Sequence, residues 1–169
     1  MLEPSGMPLD PALVADCFYG PDAMLFDEIL TIDRERGVVR ARMPTPATLP
    51  LTRDQRGDPR VHPRHVAGAL LVQATGMLGF FHAYHMLDLR LSDGWVGFGT
   101  HIHNARFRAM CTLGEPLIGE GQQISLRRLG GNLFIRYRFV FTQGETVVYE
   151  SEQSAVWRRV PAEAAAASE

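Results

Sequence analysis

The sequence predicts an α+β domain in which one long helix is wrapped by a curved antiparallel sheet. Three observations carry this reading. Residues 66–87 form a run that is apolar nearly all round, so a helix there has to be enclosed. Strand-like segments come as a hairpin before that run and as a meander after it. Leu133, Ile135, Tyr137, Phe139 and Phe141 alternate with Phe134, Arg136, Arg138 and Val140, the period of a strand with one dry face and one wet face. A flat sheet cannot bury a helix on every side, whereas a curled one can.

The elements follow in order. Residues 1–21 are a lead-in, loose and Pro-rich at first, with a short helix over 11–20 that ends at Gly20-Pro21. Residues 24–32 read as a strand, 33–37 as a turn and 38–43 as the returning strand. Residues 44–64 hold five prolines and many polar side chains, a long irregular loop of the kind that often carries function. The central helix spans about 67–87. Its Gly68, Gly76 and Gly79 each cost about 1 kcal/mol relative to Ala, which close approach of a sheet or a ligand would explain. Strand segments follow at 94–100 with 101–108, 115–127, 132–142 and 146–158, with hairpin turns at Gly130-Gly131-Asn132 and Gln143-Gly144-Glu145. The single domain therefore covers 22–158, and 159–169 is an Ala/Glu-rich tail expected to be disordered.

Composition narrows the chemistry. At 169 residues, 46% hydrophobic and 21% charged, the chain is one ordinary globular domain. The net charge of −2 gives no general attraction to nucleic acid. All 17 basic residues are Arg, so Schiff-base lysines and P-loop lysines are excluded. Cys17 and Cys111 are far apart and read as two reduced thiols. The first residues lack the basic and apolar regions of a signal peptide, and the expectation is a cytoplasmic protein. The run 66–87 is long enough to span a bilayer. It carries Gln73, Thr75, His82, Tyr84 and His85, however, and reads as a buried helix with no membrane insertion. There is no GxSxG, GxGxxG or P-loop. His82 and His85 mark a polar end of the helix, and His101 and His103 alternate on a strand, with no HExxH or cysteine pair to make a metal site. No cofactor is expected.

Three segments carry a resemblance. Met24-Leu25-Phe26-Asp27-Glu28-Ile29-Leu30-Thr31-Ile32-Asp33 is similar to the first strand and turn of the beta-hydroxyacyl-carrier-protein dehydratases. Gly68-Ala69-Leu70-Leu71-Val72-Gln73-Ala74 resembles the start of their central helix. Asn104-Ala105-Arg106-Phe107-Arg108 with Leu113-Gly114-Glu115-Pro116-Leu117 resembles their strand segment after it. The resemblance implies the hotdog fold and an acyl thioester substrate on coenzyme A or acyl carrier protein. It also implies a homodimer joined through sheet edges, and an oxyanion site at the helix N-terminus around Ala67, Gly68 and Ala69.

The chain departs from the dehydratases at their catalytic pair. Gln73 stands at the position of the helix Glu, and Asp58 falls near the loop His. An amide has no useful pKa for proton transfer. A weaker resemblance to the FcoT-type acyl thioesterases accommodates a helix amide and a loop histidine, here His62. The expected activity is hydrolysis of a fatty or polyketide acyl thioester, or related addition at its β-carbon. A divergent dehydratase or hydratase and a non-catalytic acyl-binding subunit are the alternatives. Gln73, His62 and Asp58 are the catalytic candidates. Tyr19, His65, His103, Asn104 and Arg106 join the helix N-terminus as substrate-binding candidates.

Overall fold

The computed structural model describes residues 6–160. A seven-stranded antiparallel sheet curls around one long helix. The chain begins with β1 (Met7–Pro8) and α1 (Pro11–Ala15), then a hairpin of β2 (Glu28–Asp33) and β3 (Val38–Met43). After the long loop come α2 (Gly68–Leu87) and the strands β4 (Trp95–Phe107), β5 (Leu117–Leu129), β6 (Asn132–Gln143) and β7 (Thr146–Arg159). The order across the sheet is β1-β2-β3-β5-β6-β7-β4. The strand after the helix therefore sits at the edge, paired only with β7 among the described residues.

Several boundaries differ from the sequence reading. Residues 24–27 carry apolar side chains into the core but lie outside the ladder: Leu25 and Phe26 are buried while the strand begins at Glu28. The segment read as 94–100 with 101–108 is one continuous 13-residue strand, Trp95–Phe107. Register shifts at Gly99/His101 and Ile102/Asn104 interrupt its alternation near the junction of the two parts. Arg159, assigned to the tail, is the last residue of β7, and residues 161–169 lie outside the described residues, as do 1–5.

α2 needs no polar surface stripe because the sheet and the loop cover most of it. Leu71, Ala74, Leu78 and Phe81 are buried, as are Val39, Ala41, Met43, Phe139 and Phe141 on the sheet. Contact with β5 is close because Gly119 and Gly121 remove two side chains. A Cβ on Gly119 would lie 3.0 Å from Leu78 Cδ1 and 2.9 Å from Phe141 Cε1. His82 does not mark a polar end: it is 1% exposed, and its Nδ1 lies 3.1 Å from Tyr137 Oη. Burial pushes its imidazole down to about 4. Among the described residues, no helix is long and apolar enough to cross a membrane.

The lead-in is tied down. Asp10 caps α1 by accepting from Ala12 N–H at 2.9 Å, and Leu13 is fully buried. Asp16 then accepts from the Leu91 and Ser92 amides at 2.8 and 2.9 Å. This clamp fixes the segment Cys17-Phe18-Tyr19 beside the middle of α2.

Candidate active site

Two adjoining cavities open between α2 and the β4 edge. The outer one, about 440 Å3, is lined by Tyr19, Ala69, Gln73, Thr75, His101 and Gln153 among others. The inner one, about 260 Å3, shares Tyr19, Thr75, Gly76, Gly99 and Gln153 with it and continues toward Tyr137 and Trp157.

The N-terminus of α2 borders the outer cavity through Ala69. No side chain caps this helix end. Thr52 Oγ1 accepts from Ala67 N–H at 3.2 Å, and Leu70 N–H is turned back onto Ala67 O at 2.9 Å. The Gly68 and Ala69 amides donate to no acceptor among the described residues, which leaves two orphan N–H groups at the positive end of a 20-residue helix. Gln73 lies about one turn further along, half-buried on the cavity wall.

Buried Gln143 and half-buried Gln153 and Gln73 differ in their hydrogen bonding. Gln143 is tied to Thr112 N–H, Thr112 O and Glu115 O. Gln153 is tied as well: its Oε1 lies 3.2 Å from Thr75 Oγ1, and its Nε2 donates to Ser151 Oγ at 3.0 Å. The Gln73 amide has no hydrogen-bond partner among the described residues and faces the cavity. A free donor and acceptor there can hold a water or a carbonyl.

The other sequence candidates scatter. Tyr19 lines both cavities. Asp58 and His62 form a small turn of their own, bridged backbone to backbone, and line neither cavity. The Asp58 carboxylate binds Arg60 at 3.1 Å, and that hydrogen bond holds its carboxyl below the usual range. His62 stacks on His65 with ring centroids 4.9 Å apart. His65 borders a separate groove with Gly68, Phe107 and Arg108. His103 is spent on Ser154 Oγ at 2.7 Å, and Arg106 lies 3.6 Å from the Glu150 carboxylate that also binds Arg108. Asn104 is exposed on β4 opposite Glu152 and lines neither cavity.

Sequence reasoning missed Gln153 and Thr75 as site residues, and it read His101 only as one of two histidines alternating on a strand. Gln153 carries no motif; only the pairing of β7 between β6 and β4 brings it to the junction. Burial raises both thiols, Cys111 to about 11, so neither supplies a thiolate. Among the described residues, no three His, Cys, Asp or Glu side chains gather as metal ligands would.

No family model matches the sequence, and no curated protein matches it. Solved structures do match. Thioesterase HI1161 from Haemophilus influenzae aligns with a TM-score of 0.59 at 16% identity, covering 91% of this chain and 94% of that one. A mutant of the fluoroacetyl-CoA-specific thioesterase FlK, in complex with fluoroacetate and CoA, aligns at 0.56 with 14% identity, over 73% and 93%. A mutant of thioesterase PA1618 from Pseudomonas aeruginosa aligns at 0.55 with 15% identity, over 79% and 81%. With its helix, sheet order and these neighbours, the chain has the hotdog fold.

Proposed function

We propose that this chain hydrolyses an acyl thioester, with coenzyme A or an acyl carrier protein as the leaving thiol. The observation that carries the reading is the free Gln73 amide, which shares a cavity with the uncapped N-terminus of α2. The thioesterases among its neighbours in structure support it at the level of reaction class.

The Gly68 and Ala69 amides take the thioester oxygen and stabilise the charge that develops there. Gln73 holds a water against the carbonyl carbon. The water oxygen bonds to that carbon, the C–S bond breaks, and the free acid and thiol leave. His101, the imidazole on the wall of the same cavity, takes the proton from water and returns it to the sulfur. Tyr19 and Gln153 shape the passage inward. A dehydratase needs a group that gives or takes a proton at the helix position, and an amide does neither.

The working unit of this proposal is a homodimer. The outer edge of the 13-residue β4 has no strand partner among the described residues, and Phe98, Ile102 and Phe107 on it are about half exposed. Such an edge is rarely left open. His62 and Asp58 enter this mechanism only where a second copy brings their loop to the cavity.

Thiol release from a panel of acyl-coenzyme A esters tests the proposal. Gln73→Ala should lower kcat/KM by about 100-fold or more, the loss expected for one preorganised polar group at the reacting centre. Hydrolysis by the variant at the wild-type rate would remove Gln73 from the mechanism. A wild-type protein inert on every ester, alone and as a dimer, would favour the non-catalytic subunit.

A further inference from the structure

We propose that the inner cavity seats one planar aromatic acyl group, so that the substrate is an arylacyl thioester of benzoyl or phenylacetyl size. This rests on the thioesterase reading and specifies the acyl half of its substrate. The walls are aromatic: Phe18, Phe80, Phe98, Tyr137, Phe139 and Trp157. Phe80, Tyr137, Phe139 and Trp157 are at most 5% exposed and form the deep wall, while Phe18 and Phe98 are about half exposed and form the rim. The rings come in tilted, near-parallel pairs, Phe80 with Trp157 at 27° and Tyr137 with Phe139 at 28°. A guest ring among them finds both faces and edges to pack on.

On its helix side, between Thr75 and Phe80, the cavity meets bare backbone at two positions. Gly76 and Gly79 both line it, one helical turn apart. A Cβ on Gly76 would meet nothing within 4 Å, and one on Gly79 would meet only Tyr137 Cε2 at 3.9 Å. Neither glycine is required by packing against the protein. Each leaves room, and together they make a flat floor suited to a ring face.

Size limits the guest. A dry cavity of about 150 Å3 holds one benzene, about six carbons. At that rate the inner cavity of about 260 Å3 holds about ten. A ring with its linking carbon fits, leaving the carbonyl in the outer cavity beside Gln73; a sixteen-carbon chain does not.

The test has two arms. In the first, kcat/KM is measured for phenylacetyl-, benzoyl-, acetyl-, octanoyl- and palmitoyl-coenzyme A. At least one aryl ester should exceed palmitoyl by 100-fold and octanoyl by 10-fold. Gly79→Leu should lower the phenylacetyl-to-acetyl ratio at least 30-fold, and Gly76→Val repeats the test at the other glycine should the first variant fold poorly. In the second arm, phenylacetamide is titrated against Trp157 fluorescence in a Trp95→Phe background, which leaves Trp157 as the one indole. Saturable quenching that Gly79→Leu abolishes is expected. Hydrolysis that favours octanoyl or palmitoyl overturns the aryl assignment and leaves the thioesterase reading standing. No hydrolysis with saturable, Gly79-dependent quenching overturns the thioesterase reading and keeps the aryl site. Neither hydrolysis nor quenching overturns both.

Discussion

The two sides of α2 use glycine for opposite purposes. Toward β5, the helix lies so near that a methyl group on Gly119 would collide with Phe141 and press on Leu78, and one on Gly121 would crowd Phe139 and Leu78. Toward β4, the glycines belong to the helix itself, and Gly76 and Gly79 face a cavity. One side is closed to interior density; the other is held open beside the uncapped helix end and the free Gln73 amide. The tight packing lies on the first side and the proposed chemistry on the second, and substitutions should separate the two.

The largest stability effect belongs to the closed side. Gly119→Val should destabilise by about 2–3 kcal/mol, because Leu78 and Phe141 are fully buried and have nowhere to retreat. Denaturant unfolding measures this, and a loss under about 0.5 kcal/mol would mean the helix and β5 are less tightly packed than described.

His82 gives the next effect, as a pH dependence. Its imidazole is held at about 4 in the fold against an ordinary value of 6.5. Between those values the unfolded chain binds a proton that the folded chain refuses. Stability is thus complete above about pH 6.5 and is lost as pH falls toward 4, by an amount on the order of 1–3 kcal/mol. His82→Phe should flatten this slope in urea titrations at pH 7 and pH 5; an unchanged slope would assign the acid sensitivity to other groups.

Gly76→Ala probes the open side and should act in the other direction. The methyl meets nothing within 4 Å, and alanine favours the helix, so stability should rise by about 0.5–1 kcal/mol. A fall in thermal stability would show that the wall is not open at that point. The smallest effect is expected at His62. His62→Ala should change kcat/KM by less than about threefold, since the side chain lines neither cavity. A loss comparable to that of Gln73→Ala would place a second copy's loop in the site.

The closed side was legible in the sequence and the open side only partly. The all-round apolar helix and the strict alternation of β6 report burial directly, because side-chain period follows backbone geometry. Gln73 was legible as well, as an amide in an apolar run. Gln153 was not: in β7 it stands among Glu150, Ser151, Glu152 and Ser154, and nothing local distinguishes it from a solvated residue. His82 was misread for a related reason. A histidine near a helix end looks polar until Tyr137, 55 residues away, covers it. Asp58 fell at a family position by alignment of a short loop, yet the local turn commits its carboxylate to Arg60. Pairwise partners across the sheet, unlike periodicity, are not written near the residue they affect.

The most direct test of the central claim is mass spectrometry of the products formed from cinnamoyl-coenzyme A, an enoyl thioester that carries an aryl ring, in water enriched in oxygen-18. Hydrolysis predicts a free enoic acid carrying one heavy oxygen in its carboxyl group, together with free thiol. An intact thioester that has gained one molecule of water at the β-carbon would contradict the account and make the protein a hydratase.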